Sequence, residues 1–414
     1  MNIHWKRNTA LFVMGQALSL FGTMVVQYAI SWHITLKTQS GTMMTLFTIA
    51  GFLPMFFISP FGGVWADRFN RKYIINIADG SIAFASLVVA VLIMLGYDSV
   101  GILLACAVVR SIGQGVQMPA VGAFIPQIVP QEHLTRVNGI QGSIQSFITL
   151  TAPMISGALM AFAPLEILFF LDVVTALFGI SIVLFFVKSP QMVQPSPAAI
   201  TGAPEQKGAA YLQDLRAGVG YIKKHGYVLR MILLSAIFLF FFAPAAFLTP
   251  LQVIRNFGND VWRLSAIEIA FSAGMMLGGI LIGVWGGFKN RIYTMALSCG
   301  LSGILTISLG LAPNFWLYLT MMALMGTSLS LYNAPSMVLL QTTVEPAFMG
   351  RVLSVFNMTS STMMPLGMVF FGPLSDKLSI NILLVGTGVI VTLLTIPFIT
   401  SKTLIEAGRS HPGG

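Results

Sequence analysis

The chain has 414 residues, of which 56% are hydrophobic and only 8% charged, with a mean hydropathy of +0.85. That composition excludes a soluble globular domain, which needs about a quarter of its residues charged, and the apolar runs lack the period-two alternation of a membrane β-barrel. An excess of 22 basic over 13 acidic residues would point to nucleic acid in a soluble chain, but here the cations gather in short loops, as positive-inside topology requires, so no nucleic-acid partner is expected.

Lipid offers no hydrogen bonds, so a spanning backbone must satisfy itself within a helix, and about twenty apolar residues cross the hydrocarbon layer. Apolar runs between charged or Pro/Gly breaks predict twelve spans, near 9–34, 42–65, 73–95, 100–127, 137–162, 165–187, 228–250, 264–286, 292–311, 314–340, 351–373 and 379–400. Lys6 and Arg7 precede the first run without a small-residue cleavage site, so span 1 is expected to be retained. Ser189 to Ala210 is rich in Pro, Ala, Gln and Gly and reads as a linker. Leu212, Leu215, Val219 and Ile222 then predict an amphipathic helix on the membrane surface. The expected organisation is two six-helix halves, 1–188 and 227–414, joined by a cytoplasmic linker at 189–226. With the amino terminus inside, 17 of the 22 Lys and Arg residues fall in cytoplasmic loops, which places both termini of a multi-pass cell-membrane protein in the cytoplasm.

The halves echo each other. Gly63-Val-Trp-Ala-Asp-Arg-Phe-Asn-Arg-Lys-Tyr73 after span 2 aligns without a gap with Gly283-Val-Trp-Gly-Gly-Phe-Lys-Asn-Arg-Ile-Tyr293 after span 8. Pro119 and Arg136 pair with Pro335 and Arg351 as a second echo, and Pro153 and Gly157 with Pro365 and Gly367 as a third. Two pseudo-symmetric six-helix halves in parallel repeat are the layout of a rocking transporter.

Span 1 carries Gln16, Ser19, Thr23 and Gln27 at helical spacing, span 5 carries Asn138, Gln141, Gln145 and Thr149, and span 11 carries Ser354, Asn357 and Ser361. Such faces avoid lipid, either by lining a wet cavity or by bonding helix to helix. Asp79, Arg110, Asp172 and Glu268 are the ionisable residues at membrane depth, and are candidates for ion pairing or proton coupling. Counting about 1.5 Å per residue from the Gly96–Ser99 turn sets Asp79 and Arg110 about 9 Å apart in depth, a gap that Arg nearly spans, with Asp172 as competing partner. Ser265-Ala-Ile-Glu268 has capping-box spacing, so Glu268 either closes a helix start or stands available for a proton. Phe238, Phe240, Phe241, Phe242 and Phe247 around Pro244 would wall span 7, and 24 methionines suit an adaptable apolar pocket. Gly274-x-x-x-Gly278 and Gly279-x-x-x-Gly283 predict close packing along span 8. Five scattered histidines and two distant cysteines give no metal site. No Gly-rich phosphate loop and no catalytic constellation occur, so neither an ATP-driven pump nor an enzyme is expected, and no cofactor.

The 2–3 loop, with Gly63, Asp67, Arg68, Asn70, Arg71 and Lys72, resembles the signature loop of the major facilitator superfamily. Asn70 stands where that family usually has Gly, and Asn is the next-best residue for a left-handed turn. The resemblance implies an all-α major facilitator fold, with this loop as a cytoplasmic gating latch that Gly287 weakens in the second half. It also implies that spans 1, 5 and 8 line the central path while spans 3 and 6 are peripheral, which favours Glu268 over Asp79 and Asp172 as the coupling carboxylate. Arg110-Ser-Ile-Gly-Gln-Gly115 matches the family's helix-4 motif with its Gly spacing shifted by one. Gly51-Phe-Leu-Pro54, Pro130-Gln-Glu-His-Leu-Thr135, Ile267-Glu-Ile-Ala-Phe-Ser-Ala-Gly-Met275 and Gly350-Arg-Val-Leu-Ser354 are similar to the Mef-type macrolide efflux proteins. That narrower resemblance implies secondary, proton-coupled efflux of macrolide-type or other amphipathic drugs. The alternative is a carrier for a native metabolite, such as a siderophore-like product or a nutrient. The partners it implies are a small amphipathic substrate, protons and the bilayer, with the chain working as a monomer.

Overall fold

The computed structural model describes residues 5–188 and 216–409. Among the described residues every regular element is helical. The first six long helices are α1 (Trp5–Thr38), α2 (Gly41–Arg68), α3 (Arg71–Met94), α4 (Val100–Ile128), α5 (Leu134–Phe162) and α6 (Leu165–Ser181). A short helix at 216–224 then leads into α7 (Gly226–Phe247), α8 (Thr249–Phe257), α9 (Val261–Trp285), α10 (Arg291–Leu311), α11 (Phe315–Thr343), α12 (Met349–Leu374), α13 (Ile380–Leu393), α14 (Thr395–Thr400) and α15 (Lys402–Gly408).

Eleven segments among the described residues are long and apolar enough to cross a membrane, with α7–α8 and α13–α14 each forming one. The twelfth expected span, α12, has the length at 26 residues but opens with Arg351, Ser354, Asn357 and four consecutive hydroxyl residues at 359–362, which lower its hydropathy. Span 7 runs further than its expected end at 250. α7 stops at Phe247, and Pro250 sits in the first turn of α8, where its missing N–H is not needed, so the chain stays helical to Phe257.

Two compact units result: residues 5–39, 43–188 and 259–269 form the first, and residues 40–42, 216–258 and 270–409 the second. In the first, α1 packs along α6 and α5, and α3 packs between α4 and α6. Helices in lipid gain no hydrophobic drive from meeting each other, so small residues that let backbones touch carry the packing. Gly15 of α1 and Gly179 of α6 meet this way, since a Cβ on Gly179 would lie 2.6 Å from the Gly15 carbonyl oxygen. Gly22, two turns along, leaves room for Asp172, whose Cα would lie 2.9 Å from a Cβ there. In the second unit Gly274 and Gly278 of α9 pack against the α11 backbone near Ala323 and Thr327, whereas Gly279 and Gly283 face open space. Only the first of the two predicted small-residue pairs is therefore a helix contact. Phe238 and Phe242 are buried with Tyr332, at 4.5 Å between the Phe238 and Tyr332 rings, so these two are core rather than wall.

The aligned loops after spans 2 and 8 cap their next helices identically. Asn70 accepts from the Lys72 amide at 3.1 Å and Asn290 from the Ile292 amide at 3.0 Å. Asn70 has φ −65° and ψ 112°, extended backbone rather than the left-handed turn expected, because its side chain serves as an N-cap and that role requires the β region. The third echo does not hold as an equivalence: Gly157 packs on Ser265, Gly367 on the Phe240 carbonyl.

Of the predicted amphipathic helix, Leu212 and Leu215 lie outside the described residues. The part at 216–224 buries Gly218, Tyr221 and Ile222, and Val219 is exposed. Tyr221 stacks on Phe348 at 4.7 Å and Gly218 abuts Arg351, so this face docks on the start of α12 instead of on lipid.

Asp376, just beyond α12, gathers the chain at 40–42 within the second unit. It accepts from the Ser40 hydroxyl at 2.8 Å, the Gly41 amide at 2.7 Å, and the Thr42 amide and hydroxyl at 2.9 and 2.6 Å, with Arg255 at 3.4 Å. The carboxylate thus caps the start of α2, where the helix dipole favours negative charge. Partial burial opposes its ionisation, but the hydrogen bonds from Thr42, Gly41 and Ser40 outweigh that and hold the carboxyl below its ordinary value. A lowered folded-state value stabilises fully above the unfolded one, about 3.9, and that contribution is lost as pH falls through the folded one. Asp376→Ala is expected to lower stability by about 1–3 kcal/mol at neutral pH, since the orphaned amides lose a charged acceptor. The gap to wild type should close as the pH of a thermal unfolding assay drops below about 4. A constant gap across that range would remove Asp376 ionisation from the account.

Candidate functional site

The first unit holds a cavity of about 740 Å³ between α1, α3, α4 and α5. Such a volume suits a drug-sized guest. Leu20, Met24, Met118, Val121, Ile125 and Ile144 form its apolar lining. Its polar groups are Gln16, Ser19 and Thr23 of α1, Gln114 and Gln117 of α4, and Asn138, Gln141 and Gln145 of α5. Asp79 of α3 also faces it, the single ionisable residue of the lining among the described residues. The reading of span 3 as peripheral is corrected here: α3 lies against α4, and residues 79 and 82, one turn apart, both reach the cavity.

The polar stripes enter only in part. Gln27 is half-buried and does not line the cavity. Thr149 donates back to the Gln145 carbonyl of its own helix. Asn357 is exposed in the second unit. Gln114 and Gln117 add to the polar faces expected on spans 1 and 5, and their spacing of three on α4 is the same signal as on α1. Gln117 donates to the Gln16 carbonyl oxygen at 2.7 Å, and Gln16 donates to Asp79 Oδ2 at 3.2 Å, an amide relay ending on the carboxylate.

Arg110 does not pair with Asp79. It pairs with Asp172 of α6, and the same Arg110 nitrogen also donates to Ser86 of α3. Its other terminal nitrogen donates to the Thr23 carbonyl at 2.9 Å. Ser86 and Thr23 hydroxyls donate to Asp172 at 2.6 and 3.4 Å. Arg110 and Asp172 are both buried, at 1% and 0% exposure. On α3 it is Ser86, seven residues beyond Asp79 and so on the same face two turns away, that meets Arg110; depth counted along two helices cannot locate a partner on a third.

At the loop after α2, Asp67 pairs with Arg71 at 3.3 Å. Arg71 also donates to the carbonyls of Ala66 and Ala123, each at 2.8 Å, and Lys72 donates to the Val187 carbonyl at 2.7 Å. Arg71 and Lys72 thus satisfy carbonyls near the ends of α2 and α4 and at Val187, which closes the π-helical turn Ile182–Phe186 that prolongs α6, and the dipoles of those ends favour the contacts. Gly63 has open space around a Cβ, and Arg68 is exposed.

Glu268 lies apart from the cavity, within electrostatic reach of Tyr28 of α1. The capping-box reading fails, because α9 begins at Val261 and Ser265 already lies in its second turn, with a buried hydroxyl that finds no partner among the described residues.

Long apolar helices around a polar cavity define a membrane-spanning transporter rather than an enzyme. The chain belongs to the Major Facilitator Superfamily, whose family pattern matches residues 12–368. It is 29% identical over 401 residues to Macrolide efflux protein A of Streptococcus pyogenes, covering 96% of each chain. Macrolide efflux protein A of Enterococcus faecalis is 29% identical over 333 residues, which is 80% of this chain and 100% of that one. Among solved structures, a bacterial homolog of the human lysosomal transporter Spinster, in an inward-facing and unoccupied conformation, superposes with a TM-score of 0.72 at 15% identity over the whole of both chains.

Proposed function

We propose that this protein is a proton-coupled exporter of macrolide-type or other amphipathic drugs in the cell membrane, with its basic loops and both termini in the cytoplasm. The observation that carries the reading is the cavity: apolar walls, amide and hydroxyl groups, and a volume of about 740 Å³ match a bulky, partly apolar guest. Full-length likeness to the macrolide efflux proteins supports the direction and the class of cargo. Glu268 is the proposed proton carrier, since it sits at membrane depth without the capping duty that would otherwise explain it. The loop of Asp67, Arg71 and Lys72 is the proposed latch, stabilising one state of the transport cycle by joining three helix ends.

The test is drug accumulation in a pump-deficient host. Sidedness is first checked with an impermeant thiol reagent, which should label Ser99→Cys from outside and leave Gly202→Cys unlabelled. Expression is expected to lower accumulation of macrolides, and a protonophore to abolish that effect. Glu268→Gln, which keeps size and hydrogen bonding but cannot carry a proton, should lose proton-driven efflux at normal expression, a drop of about 100-fold or more in rate. Full efflux by Glu268→Gln would remove it from coupling. Export of a siderophore-like product with no drug efflux would replace the drug reading by the metabolite one.

A further inference from the structure

The mid-membrane charges of the first unit divide unequally. Arg110 is consumed by Asp172, Ser86 and the Thr23 carbonyl, and among the described residues no Lys, Arg or His lines the cavity. Asp79 is left as a buried carboxylate facing a drug-sized space, with Gln16 and Gln117 as amide neighbours and no cation among the described residues of the lining. A buried carboxylate without a counter-charge is costly, and structural packing alone would be served more cheaply by Asn. Apolar surface stands on the same cavity, from Leu20, Met24 and Ile82. A guest with an apolar body and one ammonium group would fill both needs, gaining a charge-assisted hydrogen bond in a site of low dielectric.

We propose that Asp79 is the subsite for the protonated amine of an amphipathic substrate, oriented for that contact by the Gln117–Gln16 relay. This rests on the transport reading above and narrows it, because it makes a basic nitrogen a determinant of selection. Gln16 holds Oδ2 of the carboxylate in place, so it is a positioning residue, and Asp79 makes the contact.

The experiment is equilibrium dialysis of the purified chain against two probes. One is a macrolide bearing a dimethylamino group; the other is the same macrolide with one N-methyl group replaced by acetyl, which leaves a neutral N-methylacetamide. Wild type is expected to bind the amine form about ten-fold more tightly or better, as for a desolvated charge pair. Asp79→Asn should bring the two within about two-fold of each other, while Asp79→Glu restores the preference. An undiminished preference in Asp79→Asn overturns the proposal, as does wild type binding both forms equally. If wild type binds neither macrolide, the cargo reading fails separately, and an amphipathic long-chain alkyldimethylammonium salt with one N–H becomes the probe: binding lost in Asp79→Asn upholds the subsite, and binding absent or equal in both chains overturns it. Should Asp79→Asn not fold, Ala17→Cys in a background lacking Cys106 and Cys299 reports on the same cavity. With each rate divided by that of the same reagent on a free thiol in solution, a cationic methanethiosulfonate should then react about ten-fold faster than an anionic one, and equal normalised rates would overturn the assignment.

Discussion

Arg110→Met is expected to cost about 3–5 kcal/mol of stability and to deplete the chain from the membrane fraction, because it strands the Asp172 carboxylate without its cation. Asp172→Leu should do the same from the other side, leaving a guanidinium with Ser86 and a backbone carbonyl but no counter-charge. The double variant Arg110→Met with Asp172→Leu should recover most of the loss, since two apolar groups of similar volume carry no desolvation cost. Thermal unfolding in detergent and yield from membranes measure all three. Equal, additive losses in the double variant would mean that the pair matters through something other than charge balance. Restored folding without transport would show that the pair also serves the cycle.

The second large effect is steric. Gly22→Val places a branched side chain where the Cα of Asp172 already stands 2.9 Å from a Cβ position, and where the Thr175 hydroxyl also lies. α1 and α6 must then separate, which costs about 1–3 kcal/mol from overpacking and adds part of the ion-pair loss as Asp172 shifts away from Arg110. Gly279→Val is the matched control, a glycine inside a helix with nothing within 4 Å of a Cβ. It should be neutral or slightly stabilising, since glycine is a poorer helix former than valine by about a few tenths of a kcal/mol. Paired unfolding midpoints decide it, and similar midpoints for the two variants would refute close α1–α6 contact as the source of the effect.

Features that depend on near neighbours and on composition can be read directly from the order of the amino acids. Apolar runs of about twenty residues have one way of satisfying their backbones in lipid, so helical spans were legible. The repeat at Asn70 and Asn290 was legible because an N-cap acts over two or three residues, although its backbone conformation was not. The α1 and α5 polar faces were legible from a period of 3.6 residues, and Gln114 and Gln117 would have been by the same rule.

Partnership among the buried charges is set by how the helices pack in three dimensions. Arg110 lies on α4, and three helices could offer it an acid or a hydroxyl; their rotation about their own axes chose Asp172 and Ser86. That choice in turn left Asp79 facing the cavity without a cation, a consequence no spacing along one helix contains. Ser265 and Glu268 show the same boundary from the other side. Their spacing of three is that of a cap, but a cap exists only at a helix start, and α9 starts four residues before Ser265. Periodicity tells which residues share a face; which face meets which, and with what charge left over, is set by close packing between segments far apart in the chain.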